Sequence, residues 1–536
     1  MSSQSFEPGS RITRALLLLL VVGGAVLQLI QFLANRSLWI DEAALALNLI
    51  PKSFSALTGH LDYGQMAPIG FLWLEKAVTI VFGAGETALR LVPLGSGLLS
   101  LFLFAWVSRS VLPPAGAVAA VGLFAVNERL IYYSSEVKQY STDVAVTLGL
   151  VTAGLALTRG RLTARRLIPL AIGGTVGAAL SHPACFVLGG IGASMLATSY
   201  RRRDRRAFFA VAALAGWWAA TALPLLLLER RNLSPEDLFI LGKYWKYGFP
   251  PRPAGLGEIP RWLAMASWRL LTYLFDLDPT SPFTAVLLAA ILLGAVFLAL
   301  QRLEVFLLVV TPVMLVLTAA VVHLLPFRQR LMLFLLPLLL LLVGEFVGAL
   351  SLRVVPWGPA VAWVMGIALF GLAAWQTISR VPEYRDELRP VLEAMPRFAR
   401  PGDSVYVYNG AIRAFQYYQG RRPLPFQNVF LGCCSRDQWR LEAESLMRLG
   451  GRGRVWLILS QWYEGEASFL LLAADRFGHR EAAIRAPGAA AYLYEFAGAS
   501  ADAIEDVLAV IPPDRNRPNP WQCSGGILYE PSCGVP

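Results

Sequence analysis

The sequence predicts an α-helical polytopic membrane protein of about eleven transmembrane helices, followed by a small extracytoplasmic α/β domain. Three observations carry that expectation. The chain is 56% hydrophobic and only 15% charged, a balance foreign to soluble enzymes. Its apolar residues fall in long runs, such as 15–34, 283–300 and 331–343, rather than in amphipathic stripes. A helix needs about 20 apolar residues to cross a hydrocarbon core, and barrel strands would alternate where these runs do not. Finally, the arginines gather in short loops between the apolar runs.

The net charge of +11 raises nucleic acid as a partner, but its placement argues against one. Short basic loops read as topology signals and as contacts to anionic lipid head groups. Spans are expected near 14–34, 90–110, 115–132, 137–157, 167–182, 184–199, 207–228, 283–300, 305–325, 331–350 and 355–378. Arg11 and Arg14 precede the first. Arg159, Arg161, Arg165 and Arg166 follow the fourth, Arg201, Arg202, Arg203, Arg205 and Arg206 the sixth, and Arg353 the tenth. An even number of crossings thus separates all basic loops, which places them and the N-terminus in the cytoplasm of an inner (plasma) membrane protein.

The stretch 68–82 carries Glu75 and Lys76 in its middle and is expected to lie along the outer interface, since a crossing there would invert every later loop. The stretch 11–34 has basic flanks and an apolar centre but no small-x-small cleavage site, and is expected to stay as the first helix. The first loop (35–89), the loop 229–282 and the tail then face outward. In 229–282, Tyr244, Trp245, Tyr247, Trp262, Trp268 and Tyr273 suit the head-group level.

Two domains are expected, 1–379 in the membrane and 380–536 outside it. From Pro401 the composition is that of a soluble domain, with strand-like 404–408, 455–459, 482–484 and 492–496 and a helical pattern over 466–477. Cys433, Cys434, Cys523 and Cys533 all lie in this polar region and are candidates for two structural disulfides in an oxidising compartment, whereas Cys185 lies in an apolar run.

Ionisable residues beside apolar runs are the candidates for chemistry. Asp41 and Glu42 follow Trp39-Ile40 directly after the first helix. Adjacent carboxylates there can accept a proton from an attacking hydroxyl, or can cap the helix expected over 42–50. Arg129 and Lys138 flank the stretch Tyr132-Tyr133-Ser134-Ser135-Glu136-Val137, at membrane depth, with Gln139 and Tyr140 beyond it. Such cations can neutralise a phosphate or pair with Glu136. Arg328 and Arg330 sit at the outer start of the tenth span, against the positive-inside trend; the guanidinium fork fits phosphate oxygens, or anchors the interface. His182, before Pro183 between two spans, either touches a substrate or caps its turn. No P-loop, GxGxxG, HExxH or CxxC is present, so nucleotide binding and zinc-protease chemistry have no support.

In order along the chain, Trp39-Ile40-Asp41-Glu42, Gln65-Met66-Ala67-Pro68, Arg90-Leu91-Val92-Pro93, Tyr133-Ser134-Ser135-Glu136-Val137-Lys138-Gln139-Tyr140, Ser181-His182-Pro183 and Arg328-Gln329-Arg330-Leu331 ahead of Pro337 form a series. With that series the first two-thirds of the chain resembles the GT-C glycosyltransferases that use polyprenyl-phosphate sugars, including protein O-mannosyltransferases and lipid A aminoarabinose transferases. The departures are Lys138 where such enzymes usually carry Arg, Leu331 in place of Tyr, and Ile69 in place of a second Pro.

The resemblance implies an inverting transferase at the outer leaflet, with Asp41 as general base, Glu42 orienting the acceptor or Lys138, and carrier phosphate held near Lys138 and Arg330. Arg129, Tyr140, His182 and Arg328 complete the candidate substrate-binding set. The implied partners are a polyprenyl-phosphate sugar, a lipid, glycan or protein acceptor, and the bilayer. No cofactor is required, although paired carboxylates leave a divalent metal open. The outer domain is expected to help bind acceptor, and Tyr406, Tyr408, Phe415, Tyr417 and Tyr418 either stack on sugar rings or form its core. The competing readings are a non-catalytic membrane subunit or lipid-carrier transporter, and a glycan ligase using polyprenyl diphosphate.

Overall fold

The structure is a computed structural model describing residues 11–158, 164–252, 255, 257–353, 357–424, 426, 428–432, 439–463, 465–496 and 500–512. Cys433, Cys434, Cys523 and Cys533, and with them the expected disulfides, lie outside the described residues. In chain order the helices are α1 Arg11–Leu33, α2 Ile40–Leu49, α3 Ile69–Phe82, α4 Glu86–Leu89, α5 Leu91–Val111, α6 Pro114–Ala125, α7 Glu128–Tyr133, α8 Tyr140–Thr158, α9 Ala164–Leu180, α10 Ala184–Arg201 and α11 Arg205–Arg231. There follow α12 Pro235–Trp245, α13 Glu258–Leu274, α14 Pro282–Gln301, α15 Leu303–Val321, α16 Leu336–Arg353 and α17 Gly358–Ile378. The rest are α18 Leu388–Ala394, α19 Ile412–Arg421, α20 Trp439–Met447, α21 Glu466–Phe477 and α22 Ala501–Ala509.

Two compact units result. The first comprises 1–34, 54–60 and 66–383, the second 35–53, 61–65 and 384–536. The C-terminal boundary thus falls four residues beyond the expected one. More consequentially, two pieces of the first loop, 35–53 with α2 and 61–65, belong with the C-terminal unit, where the sequence expectation had them in 1–379.

Among the described residues of the first unit, eight helical segments are long and apolar enough to cross a membrane. The multi-pass character therefore stands. The three remaining expected spans are also helical, as α6, α9 and α10. The one expected over 115–132 stops at Ala125, because Asn127 caps a new helix: its side-chain oxygen accepts the Leu130 N–H at 3.1 Å. The helix expected along the interface forms as α3, whose 14 residues are too short to span. Small residues let helices close on one another. A Cβ at Gly116 of α6 would collide with the Gly344 carbonyl of α16, and one at Gly294 of α14 with the Leu342 carbonyl.

The second unit holds a five-stranded sheet in the order β2-β1-β3-β5-β4, with β1 Ser404–Val407, β2 Val429–Leu431, β3 Gly453–Ser460, β4 Gly478–Ala486 and β5 Ala489–Phe496. β1 pairs in parallel with β2 and β3; the β4–β5 hairpin adds antiparallel to β3. All six described side chains of Val455–Ser460 are buried, as a strand covered on both faces requires. Edge strand β4 instead alternates exposed with half-buried residues. Tyr406, Tyr408, Phe415, Tyr417 and Tyr418 are buried, so of their two expected roles they take that of core.

Candidate active site

Two groups of candidates stand out in the first unit. Between α7 and α8 the chain runs as a tight non-helical turn over 134–139, in which the Lys138 N–H donates to the Glu136 carbonyl at 2.6 Å. Irregular backbone at membrane depth is tolerated where protein encloses it or where it lines a cavity. Enclosure holds here: Ser134, Ser135, Glu136, Lys138 and Gln139 are all buried, Lys138 at 5% exposure. Helix α8 then opens at Tyr140, whose ring meets that of Tyr133 edge-on at 5.2 Å.

Arg330 comes to this same Tyr140 from far along the chain. Its guanidinium lies 5.7 Å from the Tyr140 ring and 5.7 Å from the Trp245 ring of α12. The span expected over 331–350 forms within Gln329–Ser351; its opening turns, 329–335, are a 3-10 helix and α16 begins at Leu336. Pro337 explains the switch, since it lacks an N–H yet fits the first turn of a helix. Arg328 extends the basic patch: it donates to the Tyr244 carbonyl at 3.2 Å and lies 5.5 Å from the Tyr247 ring, which Lys246 also covers at 4.7 Å. Cations seated on aromatic faces keep their charge while being held in place. An anionic lipid head group is the ligand such a patch suits.

Arg129 is placed differently. Its Nε donates to the Tyr273 carbonyl at 3.1 Å, one terminal nitrogen reaches Asp276 at 2.5 Å, and the guanidinium lies 4.9 Å from the Tyr273 ring. Arg380 pairs with the same Asp276 and with Glu128 at 3.1 Å. The Tyr133 and Tyr273 hydroxyls meet at 2.5 Å. Together these contacts clasp α7 to the end of α13, and sequence reading singled out neither Asp276 nor Arg380 because the partners are over a hundred residues apart. His182 likewise forms an ion pair with Glu229 at the end of α11. Burial disfavours its charged form, but the Glu229 carboxylate and Asp143 outweigh this and raise its basicity above that of an ordinary histidine.

Asp41 and Glu42 stand in the second unit, in the first turn of α2. The helix begins two residues earlier than expected. Glu42 is fully buried and its Oε2 accepts the Trp39 N–H at 3.4 Å, while Asp41 stays partly exposed. The backbone before them is held from the C-terminal domain. The Ser37 N–H donates to Glu387 Oε2 at 3.0 Å and the Ser37 hydroxyl to the same oxygen at 2.9 Å. The Leu38 N–H donates to the Tyr418 hydroxyl at 2.8 Å. On the far side of α2, the Asn48 amide donates to the Asp62 carbonyl at 3.1 Å and Asp62 pairs with Lys52 at 2.9 Å. Among the described residues, no three His, Cys, Asp or Glu side chains gather as a metal site.

No family model and no curated relative matches the sequence. Solved structures do. The aminoarabinose transferase ArnT from Cupriavidus metallidurans, bound to undecaprenyl phosphate, superposes with a TM-score of 0.51 at 13% identity, over 88% of this chain and 97% of that one. This chain has the GT-C fold. The oligosaccharyltransferase of Archaeoglobus fulgidus, in complex with zinc and sulfate, is similar at a TM-score of 0.49 and 14% identity over 86% of this chain and 71% of that one.

Proposed function

We propose that this GT-C chain is an inverting membrane glycosyltransferase that takes a sugar from a polyprenyl-phosphate carrier at the outer face of the inner membrane. The observation that carries the reading is the seating of Arg330 between Tyr140 and Trp245, with Lys138 buried in the turn that leads into Tyr140. A phosphate on an apolar tail is the anion whose chemistry matches fixed cations inside a helical membrane unit. The ArnT structure with undecaprenyl phosphate bound adds support for this ligand class.

In the proposed reaction an acceptor hydroxyl oxygen attacks the anomeric carbon as the bond to the carrier phosphate breaks. Asp41 takes the hydroxyl proton. Lys138 and Arg330 neutralise the departing polyprenyl phosphate, which leaves with the bonding electron pair. Direct displacement inverts the anomeric centre. Asp41 rather than Glu42 receives the role of base because Glu42 is sealed in the core and bonded to its own helix start. Arg328 and Tyr140 shape the phosphate end, while Arg129 and His182 support it through their ion pairs with Asp276 and Glu229. The scheme needs no metal. Sugar and acceptor belong to the broad classes of hexose or pentose and of lipid, glycan or protein.

The test is transfer of radiolabelled sugar from a panel of polyprenyl-phosphate sugars in proteoliposomes, comparing the wild-type chain with Asp41→Asn at matched protein level. Transfer from one donor that collapses in the variant supports both the reaction and its base. Equal transfer by both proteins removes Asp41 from the chemistry. Transfer only from a polyprenyl diphosphate glycan moves the assignment to a ligase.

A further inference from the structure

We infer that Glu387 and Tyr418 of the C-terminal α/β domain are positioning residues for Asp41, so that this domain works as the scaffold of the proton acceptor. The inference rests on the proposed role of Asp41.

The geometry is that of a three-point clamp on the backbone of residues 35, 37 and 38. Arg389 donates to the Asn35 carbonyl at 2.5 Å; Glu387 takes both the Ser37 N–H and the Ser37 hydroxyl; the Tyr418 hydroxyl takes the Leu38 N–H. The Ser37 hydroxyl in turn accepts the Arg389 N–H at 3.1 Å, which closes the network. Glu387 itself is tied down, since its N–H donates to the Pro487 carbonyl at 2.7 Å. Ser37, Leu38, Glu387 and Tyr418 are all buried, so these bonds form away from competing water.

Asp41 lies three residues beyond Leu38, at the start of α2, and α2 packs along α19, the helix that carries Tyr418. A change in the backbone angles at Ser37 or Leu38 therefore swings the carboxylate as a lever. Proton transfer requires hydrogen-bond reach, and a misplacement of about 1 Å costs on the order of 100-fold in rate. None of the clamp residues needs to touch substrate. Their effect passes through the position of Asp41.

The experiment measures kcat and the donor KM of Glu387→Ala, Glu387→Gln and Tyr418→Phe, full-length and in proteoliposomes, alongside amide hydrogen exchange across 35–49. Glu387→Ala and Tyr418→Phe are expected to lower kcat about 10–100-fold with donor KM changed less than about twofold. Glu387→Gln is expected to recover most of that loss, because its amide oxygen still accepts the Ser37 N–H. Exchange at 37–42 rises about tenfold in Glu387→Ala while β3 and β5 keep their protection.

Full kcat in Glu387→Ala and Tyr418→Phe, with Asp41→Asn inactive, overturns the inference and leaves the functional reading standing. If Asp41→Asn is active, the functional reading fails and the inference that rests on it falls with it. With Asp41→Asn inactive, unchanged protection of 37–42, or loss of protection throughout the domain, overturns the inference; a local rise together with lowered kcat upholds it.

Discussion

The two units bury charge by different means. In the membrane-helix unit a carboxylate is matched by a cation: Arg302 at the start of α15 donates to Glu345 of α16 at 2.6 Å and also to the Val111 carbonyl, and Arg129 and Arg380 share Asp276. In the α/β unit Asp403 is likewise matched by Arg454 at 3.0 Å, but two other buried carboxylates lie under tyrosine hydroxyls. Tyr406 donates to Glu442 at 2.7 Å and Tyr408 to Glu466 at 2.5 Å, the latter carboxylate also taking the Tyr463 N–H at 2.8 Å. Where water is remote in every direction an ion must meet an opposite charge, whereas a domain surrounded by water can hold one with neutral donors. The backbone before Asp41 has the second kind of support, through Glu387 and the Ser37 N–H and hydroxyl, whereas the Arg330 patch rests on aromatic rings.

The largest effect expected from breaking this contrast is catalytic. Asp41→Asn, by removing the proposed general base, should lower transfer by about 10²–10⁴-fold with donor binding retained, read from kcat and from undecaprenyl phosphate binding. Arg330→Ala should instead weaken the proposed phosphate end, costing about 2 kcal/mol in kcat/KM, roughly 30-fold.

Stability variants sharpen the comparison next. Arg302→Ala leaves Glu345 buried without that cation and should destabilise the membrane unit by about 3 kcal/mol, measured by denaturant unfolding in mixed micelles. Tyr408→Phe should cost the α/β unit less, about 1–2 kcal/mol, because Glu466 keeps its backbone donor.

Glu75 of α3 should give an effect set apart by its dependence on pH. It is fully buried, no described residue bonds its carboxylate oxygens, and burial raises its pKa well above the usual carboxylate range. The folded state then holds a proton that the unfolded chain releases near its ordinary pKa. Stability from this group is complete at acidic pH and declines as pH rises toward the raised folded pKa. Glu75→Gln should flatten that decline, and a variant with the wild-type pH profile would contradict it.

Much of the fold was readable from the sequence. Apolar run length located α1, α5, α8, α11 and α14 to α17, and short strand-like runs in the polar region located β1, β3, β4 and β5. Strand β2 escaped because three residues carry no period, and α19 because its polar surface hides a buried face of Ile412, Phe415 and Tyr418. In the site, Lys138 and Arg330 were legible as charges out of place in apolar sequence. The partners of Arg129 and His182 were not, since nothing local marks Asp276 or Glu229.

The sequence by itself determined that this is a membrane-embedded helical protein with an α/β tail, because transfer of apolar runs into hydrocarbon depends on composition and length alone. Only the tertiary structure decided that the carboxylates after the first helix fold with that tail. The bonds responsible join residues 350 and 380 positions apart, and a hydrogen bond between such residues leaves no periodicity, motif or composition for a sequence to display.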